Sequence, residues 1–430
     1  MNHLIRSCLV LALLFLMSFD AAAGTVSSGG QQKSKDRVAE LGAKIEEIQK
    51  KYSIVGLSVV AVKNGSVVWN TNFGLADIKR EVPVTDQTKF RIASISKTVA
   101  STALMQLWER GKCDLDEDIS RYLGWKIANP HHPDKPITIR HLLTHTSSLT
   151  DNANYDRFLQ VTYNAGGRAP NLRELLHVDG AYYNNGASVR TNAPGTSLSY
   201  CNLAFGVVGT LVEKISGEDF QTYCAKNIFE PLHMNASFNV ALLPDINELS
   251  ALYKMGNNGF EAQFDDYGGV HPKDRIGRVY RPGHNALVYG PQGGLRVSVL
   301  DLSKFMVQFM DRKPFGTERI LRKSTVQMML GEQWSRGGKG KDYSGRGLGF
   351  QRTQSLVPEE LWIGHTGSAY GLYSSMFFVP DKSMGVIFIT NGSQPGEPVN
   401  GFYRMQREVM ELLVDYMKQP SESKVPVTRR

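Results

Sequence analysis

Residues 91–111, RIASISKTVASTALMQLWERG, carry the tetrapeptide Ser94-Ile-Ser-Lys97 immediately ahead of an apolar run. Residues three apart on a helix share a face. A helix that takes in Ser94 at its first turn and continues through Leu107 brings the Lys97 amine beside the Ser94 hydroxyl. The partial positive charge at a helix N-terminus favours an anionic oxygen there. A serine hydroxyl is a poor nucleophile at neutral pH and needs a base within hydrogen-bond reach, which is the physical reason for such a spacing. The competing reading is an N-capping serine beside a solvated lysine. A second match, Ser421 to Lys424 in the tail SESKVPVTRR, has no core-forming residues around it. The bare spacing therefore decides nothing without partners.

Two further segments offer partners. In PGTSLSYCN (194–202), Tyr200 and Asn202 are two apart and point the same way on extended chain. They stand between a Pro-Gly turn and the helical segment CNLAFGVVGTLVEKISG (201–217). Tyr200 can bring a phenol to Ser94, and Asn202 can hold a substrate carbonyl and Lys97. Tyr182-Tyr183-Asn184-Asn185 repeats the Tyr-x-Asn spacing and reads as packing or surface aromatics. In WIGHTGSAYG (362–371), His365 is the one histidine in a His-x-Gly context. Its glycines admit a second backbone, and the strand edge can take an extended substrate by strand addition. His141 and His145 have the i, i+4 spacing of a helical metal pair. No acidic residue lies between them and no third ligand is in view, so no zinc site is expected.

The chain as a whole reads as globular, 41% hydrophobic and 21% charged. Its net charge of +8 is scattered, which argues against a nucleic-acid surface. Residues 1–23 read as an export leader: Arg6, the apolar run Cys8–Met17, and Ala21-Ala22-Ala23 before Gly24. The expectation is a protein secreted to a periplasm or the extracellular space, with no later membrane span. Cys113, Cys201 and Cys224 would remain, an odd number without a C-x-x-C, so at least one thiol stays unpaired within the chain.

Strand and helix signals occupy both ends of the chain. Residues 24–36 are polar and glycine-rich and are expected to be flexible. Val38, Leu41, Ile45, Ile48 and Tyr52 recur at helical spacing, followed by strands 55–63 and 66–74 around an Asn64-Gly65 turn. Strands 372–380 and 384–391 precede a helix with Phe402, Met405, Val409, Leu412 and Tyr416 on one face. The pattern predicts an α+β protein whose two ends close one antiparallel sheet. Residues 37–107 and 284–417 would form an α/β lobe and 108–283 a mainly helical lobe, with the site in the cleft between them. Residues 418–430 would be a flexible tail.

Five blocks in order carry a resemblance: FRIASISKTVASTALMQLWERGKCDLDEDISRYL, ITIRHLLTHTSSL, PGTSLSYCN, QGGLRVSVLDLSKFM and GHTGSAYGLYSSMFFVPDKSMGVIFITNG. Over roughly residues 37–417 the chain resembles the β-lactamase-related serine hydrolases. That family includes class C β-lactamases, D-alanyl-D-alanine carboxypeptidases, esterases, D-amino-acid peptidases and mitochondrial β-lactamase-like proteins. The resemblance implies the β-lactamase/transpeptidase-like fold, with Ser94 as acylated nucleophile and Lys97 and Tyr200 sharing the acid/base work. Which of the two takes the proton stays open. It implies that Asn202, His365, Thr366, Gly367 and Ser368 bind substrate, with the backbone N–H groups of Ser94 and Ser368 as oxyanion hole. It implies no metal and no organic cofactor.

His365 stands where the family's third box usually has lysine. A histidine charged only part of the time would weaken carboxylate recognition and make the rate follow its ionisation. The substrates implied are small molecules or peptides: D-amino-acid peptides first, small esters second, β-lactams as slow substrates third. The rival readings are a catalytically silent binding or assembly protein on the same fold, and a sensor that penicillin acylates and stalls. Homo-oligomerisation stays open.

Overall fold

The computed structural model describes residues 28–310, 318–336, 344–358 and 360–419. The expected leader 1–23 and the tail beyond Gln419 lie outside them.

Helix α1 (Ser28–Lys51) leads into strands β1 (Gly56–Lys63), β2 (Ser66–Asp77) and β3 (Val82–Pro83). Six more strands come late in the chain: β4 (Trp334–Arg336), β5 (Ser344–Arg346), β6 (Gln351–Thr353), β7 (Trp362–Ala369), β8 (Leu372–Val379) and β9 (Met384–Thr390). All nine form one antiparallel sheet in the order β3-β2-β1-β9-β8-β7-β6-β5-β4. The two chain ends therefore meet in its middle, Leu57 opposite Thr390 and Lys63 opposite Met384. This is the closure expected from the paired end signals.

Both faces of the sheet are covered, which explains why its central strands read as nearly continuous apolar runs. Side chains alternate across a strand. Val60, Val62, Met376, Phe378, Ile387 and Ile389 face the layer of helices α2 (Ser96–Glu109) and α4 (Val299–Val307), with α3 (Asn202–Ser216) packed against α2. Val59, Ala61, Phe377, Val386 and Phe388 face α1 and α5 (Arg404–Lys418). Apart from Ala61, each of these fully buried side chains contributes about 1.5–3 kcal/mol relative to exposure.

Several local expectations shift. Helix α1 begins at Ser28, inside the stretch 24–36 expected to be flexible. Val38 is exposed, while Leu41, Ile45 and Ile48 are buried. On α5 the buried stripe runs through Met405, Val409, Leu413 and Met417, leaving Leu412 and Tyr416 at its margin. Residues 108–283 contain a hairpin, Leu252–Gly256 with Gly259–Phe264, in the stretch expected to be mainly helical. Its second strand alternates apolar and polar, but neither strand holds a β-branched residue and none of the second strand is buried. Cys113, Cys201 and Cys224 are free thiols. Among the described residues no helix is long and apolar enough to cross a membrane.

Candidate active site

The chain enters the site on a short strand, Phe90–Arg91, and turns through residues 93–95 before α2 begins at Ser96. Ala93 makes the turn with φ +46, a left-handed conformation that a residue with a Cβ adopts only at a cost. No side chain caps this helix start. The Ser94 hydroxyl is therefore not a cap, and the competing reading of the tetrapeptide falls. Lys97 Nζ lies 2.9 Å from Ser94 Oγ, and the Tyr200 hydroxyl donates to Ser94 Oγ at 2.6 Å.

Lys97 is fully buried. Besides Ser94 it contacts Asn202 Oδ1 at 2.8 Å and the Gln292 carbonyl at 2.6 Å. No carboxylate pairs with it, and burial pushes its amine down to about 7 against a weaker opposing pull from Asp151. In the neutral form two N–H groups serve the two acceptor-only partners, and the lone pair is left for the Ser94 hydroxyl.

Asn202 is oriented by Asp151. Its Nδ2 donates to Asp151 Oδ2 at 2.8 Å, which turns Oδ1 toward Lys97. The same carboxylate accepts the backbone N–H groups of Asn202 and Leu203, both within 2.9 Å, at the start of α3. An anion there completes orphan donors and complements the helix dipole.

Tyr200 is held by His145. The His145 carbonyl accepts from Ser199 N at 2.8 Å, and His145 Nδ1 accepts from Cys201 N at 3.1 Å, so the backbone is pinned on both sides of Tyr200. The His145 ring lies against the Tyr200 ring with centroids 4.4 Å apart. Tyr200 as a residue is 39% exposed, but its hydroxyl is turned inward to Ser94. Burial raises its phenol above the ordinary value, so at neutral pH it is a proton donor. The helical segment expected over 137–149 ends at Leu143, and His145 follows with φ +60. His141 Nδ1 instead accepts from Thr138 N. Among the described residues no cluster of His, Cys, Asp or Glu could hold a metal ion.

Strand β7 forms the other wall. Its partner β6 stops opposite Gly364, so from His365 onward that edge runs beside the turn 93–95. Gly367 makes the approach feasible: a Cβ there would lie 2.5 Å from the Ile92 carbonyl oxygen and 3.2 Å from Ala93 Cβ. Thr366 shares its hydroxyl with the Gln351 side chain at 3.4–3.5 Å, and Ser368 stands opposite Tyr373.

His365 is buried. Its Nδ1 lies 2.6 Å from the Thr366 carbonyl, an acceptor, so Nδ1 carries the proton. Burial, reinforced by Lys97, pushes its imidazole down to about 3. The expectation of a partly charged His365 that sets the rate is therefore corrected: it is neutral across pH 5–8.

Ser94, Lys97, Tyr200, Asn202 and His365 thus come together, as the motifs predict. Asp151 and His145 were missed in the sequence. Asp151 had no signal separating it from the helix-capping Asn152 beside it.

The beta-lactamase family model matches residues 41–408, and the chain belongs to that family. It is 24% identical over 201 residues to Protein flp of Staphylococcus aureus (strain N315), covering 47% of this chain and 38% of that protein. The match thus spans well under half the length of that relative. It is 26% identical over 383 residues to Esterase EstB of Burkholderia gladioli, covering 83% of this chain and 91% of the esterase. The octameric penicillin-binding protein homologue from Pyrococcus abyssi shares the fold with TM-score 0.67 at 23% identity, over 89% of this chain and 78% of that one. The D-amino acid amidase from Ochrobactrum anthropi SV3 does so with TM-score 0.66 at 18% identity, over 89% and 100%.

Proposed function

We propose that the chain is a serine hydrolase working through an acyl-enzyme on Ser94. The observation that carries this is a half-buried serine oxygen held between a neutralised lysine amine and a protonated phenol. Neutral Lys97 takes the Ser94 proton as Oγ attacks a substrate carbonyl. The backbone N–H groups of Ser94 and Ser368 take the developing oxyanion. Tyr200 protonates the leaving amine or alkoxide and is reprotonated from Lys97. Water then enters, and the acyl group leaves as a carboxylic acid. Asn202 and the β7 edge at His365–Ser368 hold the substrate. The favoured substrates are small amides or peptides of the D-amino-acid type, with esters next and β-lactams slow. The likeness to an esterase and to a D-amino acid amidase supports this range. The leader-like residues 1–23 suggest export, which N-terminal sequencing of the mature protein tests against a start near Gly24.

Intact-mass analysis after incubation with a fluorophosphonate, and separately with a penicillin, tests the assignment. A single adduct is expected in the parent protein and none in Ser94→Ala. A penicillin adduct that never turns over favours the sensor. No adduct in a folded protein favours the non-catalytic reading.

A further inference from the structure

We infer that the Arg91 guanidinium is the receptor for a carboxylate carried by the substrate, an inference that rests on the hydrolase reading above. Arg91 stands three residues before Ser94 and is only 6% exposed. Its Nε donates to the Gly293 carbonyl at 2.9 Å, and this is the one hydrogen bond its guanidinium makes among the described residues. Four of its five N–H donors are left over. The nearby carboxylate is Asp265, and both its oxygens are taken by Arg296, at 3.0 and 2.7 Å. Two buried guanidiniums therefore share one carboxylate. An uncompensated buried charge is strongly unfavourable unless something pairs with it, and a guanidinium fork matches a carboxylate bidentately.

The place of this charge points to substrate. Gly293 packs against Ala93 and follows Gln292, whose carbonyl holds Lys97. Tyr370 follows the last residue of β7, and its ring and that of Phe264 flank the guanidinium at 5.2 and 4.6 Å. Arg91 thus sits at the far end of the edge along which an extended substrate would lie. His365, neutral in the third box, offers no cation for the task. Arg346 is the rival guanidinium. It acts on Tyr200 and His365, and its Nε lacks a partner, but it is less enclosed and its Nη1 bonds the adjoining Gly345 carbonyl.

The test compares kcat/KM within matched substrate pairs: an N-acyl dipeptide against its C-terminal amide, and an aspartyl ester against the asparaginyl ester. The first pair reads a terminal carboxylate, the second a side-chain one. The parent protein is expected to prefer the carboxylate member of at least one pair by about tenfold or more. Arg91→Met should reduce that ratio to near one, Arg91→Lys should retain part of it, and Arg346→Met should keep it. No preference in the parent, its survival in Arg91→Met, or its loss only in Arg346→Met overturns the assignment. If Arg91→Met does not fold, Arg346→Met decides: succinate should slow fluorophosphonate labelling of Ser94 and succinamide should not, and equal effects overturn the assignment. Absence of labelling sinks the hydrolase reading and this inference together; labelling without carboxylate preference sinks this one alone.

Discussion

Lys97 has three hydrogen-bond partners and no counter-ion, and that governs its chemistry. With its amine pushed down to about 7, kcat/KM on a neutral ester should rise with pH through about 7 and then level off. His365, held near 3, adds no step between pH 5 and 8, so His365→Asn should leave the midpoint in place. Asp151 pulls the Lys97 amine upward and clamps Asn202. Asp151→Asn should therefore move the midpoint to lower pH. It should also cut kcat/KM at pH 8 by about 10- to 100-fold, the equivalent of one hydrogen bond to a charged group at about 1.5–3 kcal/mol. A midpoint that stays put or rises would count against this role. Ser94, Lys97, Tyr200, Asn202 and His365 were legible because each sits in a short linear pattern. Asp151 and His145 were not, because they act on Tyr200–Leu203 across about fifty residues. Gln292 acts through its carbonyl, which any residue supplies.

Among the elements, β7 and the turn 93–95 make the close contact that walls the site. Gly367→Ala would drive a methyl group into the Ile92 carbonyl. Overpacking of this kind costs about 1–3 kcal/mol. We expect a lower urea midpoint and a slowed rate of fluorophosphonate labelling, because relief requires β7 to retreat from Ser94. Labelling at the parent rate would mean that the edge does not wall the site. Strands buried on both faces, such as β1 and β9, were readable as apolar runs. The hairpin 252–264 was not, because its short strands hold no β-branched residue. The helix read over 137–149 stops at Leu143 because the chain must turn through left-handed residues at His145 and Ser148 to reach Tyr200 and Asp151.

For the whole molecule, buried titratable groups set the response to acid. His145 and His365, and less deeply buried His141 and His284, are held below their ordinary value, so the unfolded chain binds protons that the folded one refuses as pH falls below about 6.5. Buried Glu213, raised to about 8, acts with the opposite sign between about 4.5 and 8, where the folded state keeps a proton that the unfolded chain has lost. Four histidines against one glutamate leave a net loss of stability as pH falls from about 6.5 toward 4.5. Urea titrations at pH 6.5, 5.5 and 4.5 should show this slope, steeper in Glu213→Gln and shallower in His365→Asn. The α+β class and the union of the chain ends were legible because hydrophobic period reports strands directly; in the intervening lobe helix α3 was legible too, but much of the rest is loops and short helices that carry no comparable period. That union has a consequence for synthesis. β1 waits for β9, more than three hundred residues later, so a nascent chain on the ribosome holds its first hairpin with an unpaired edge until nearly the whole polypeptide has emerged. The same dependence makes premature termination before Met384 a route to strand-edge aggregation instead of to a smaller working enzyme.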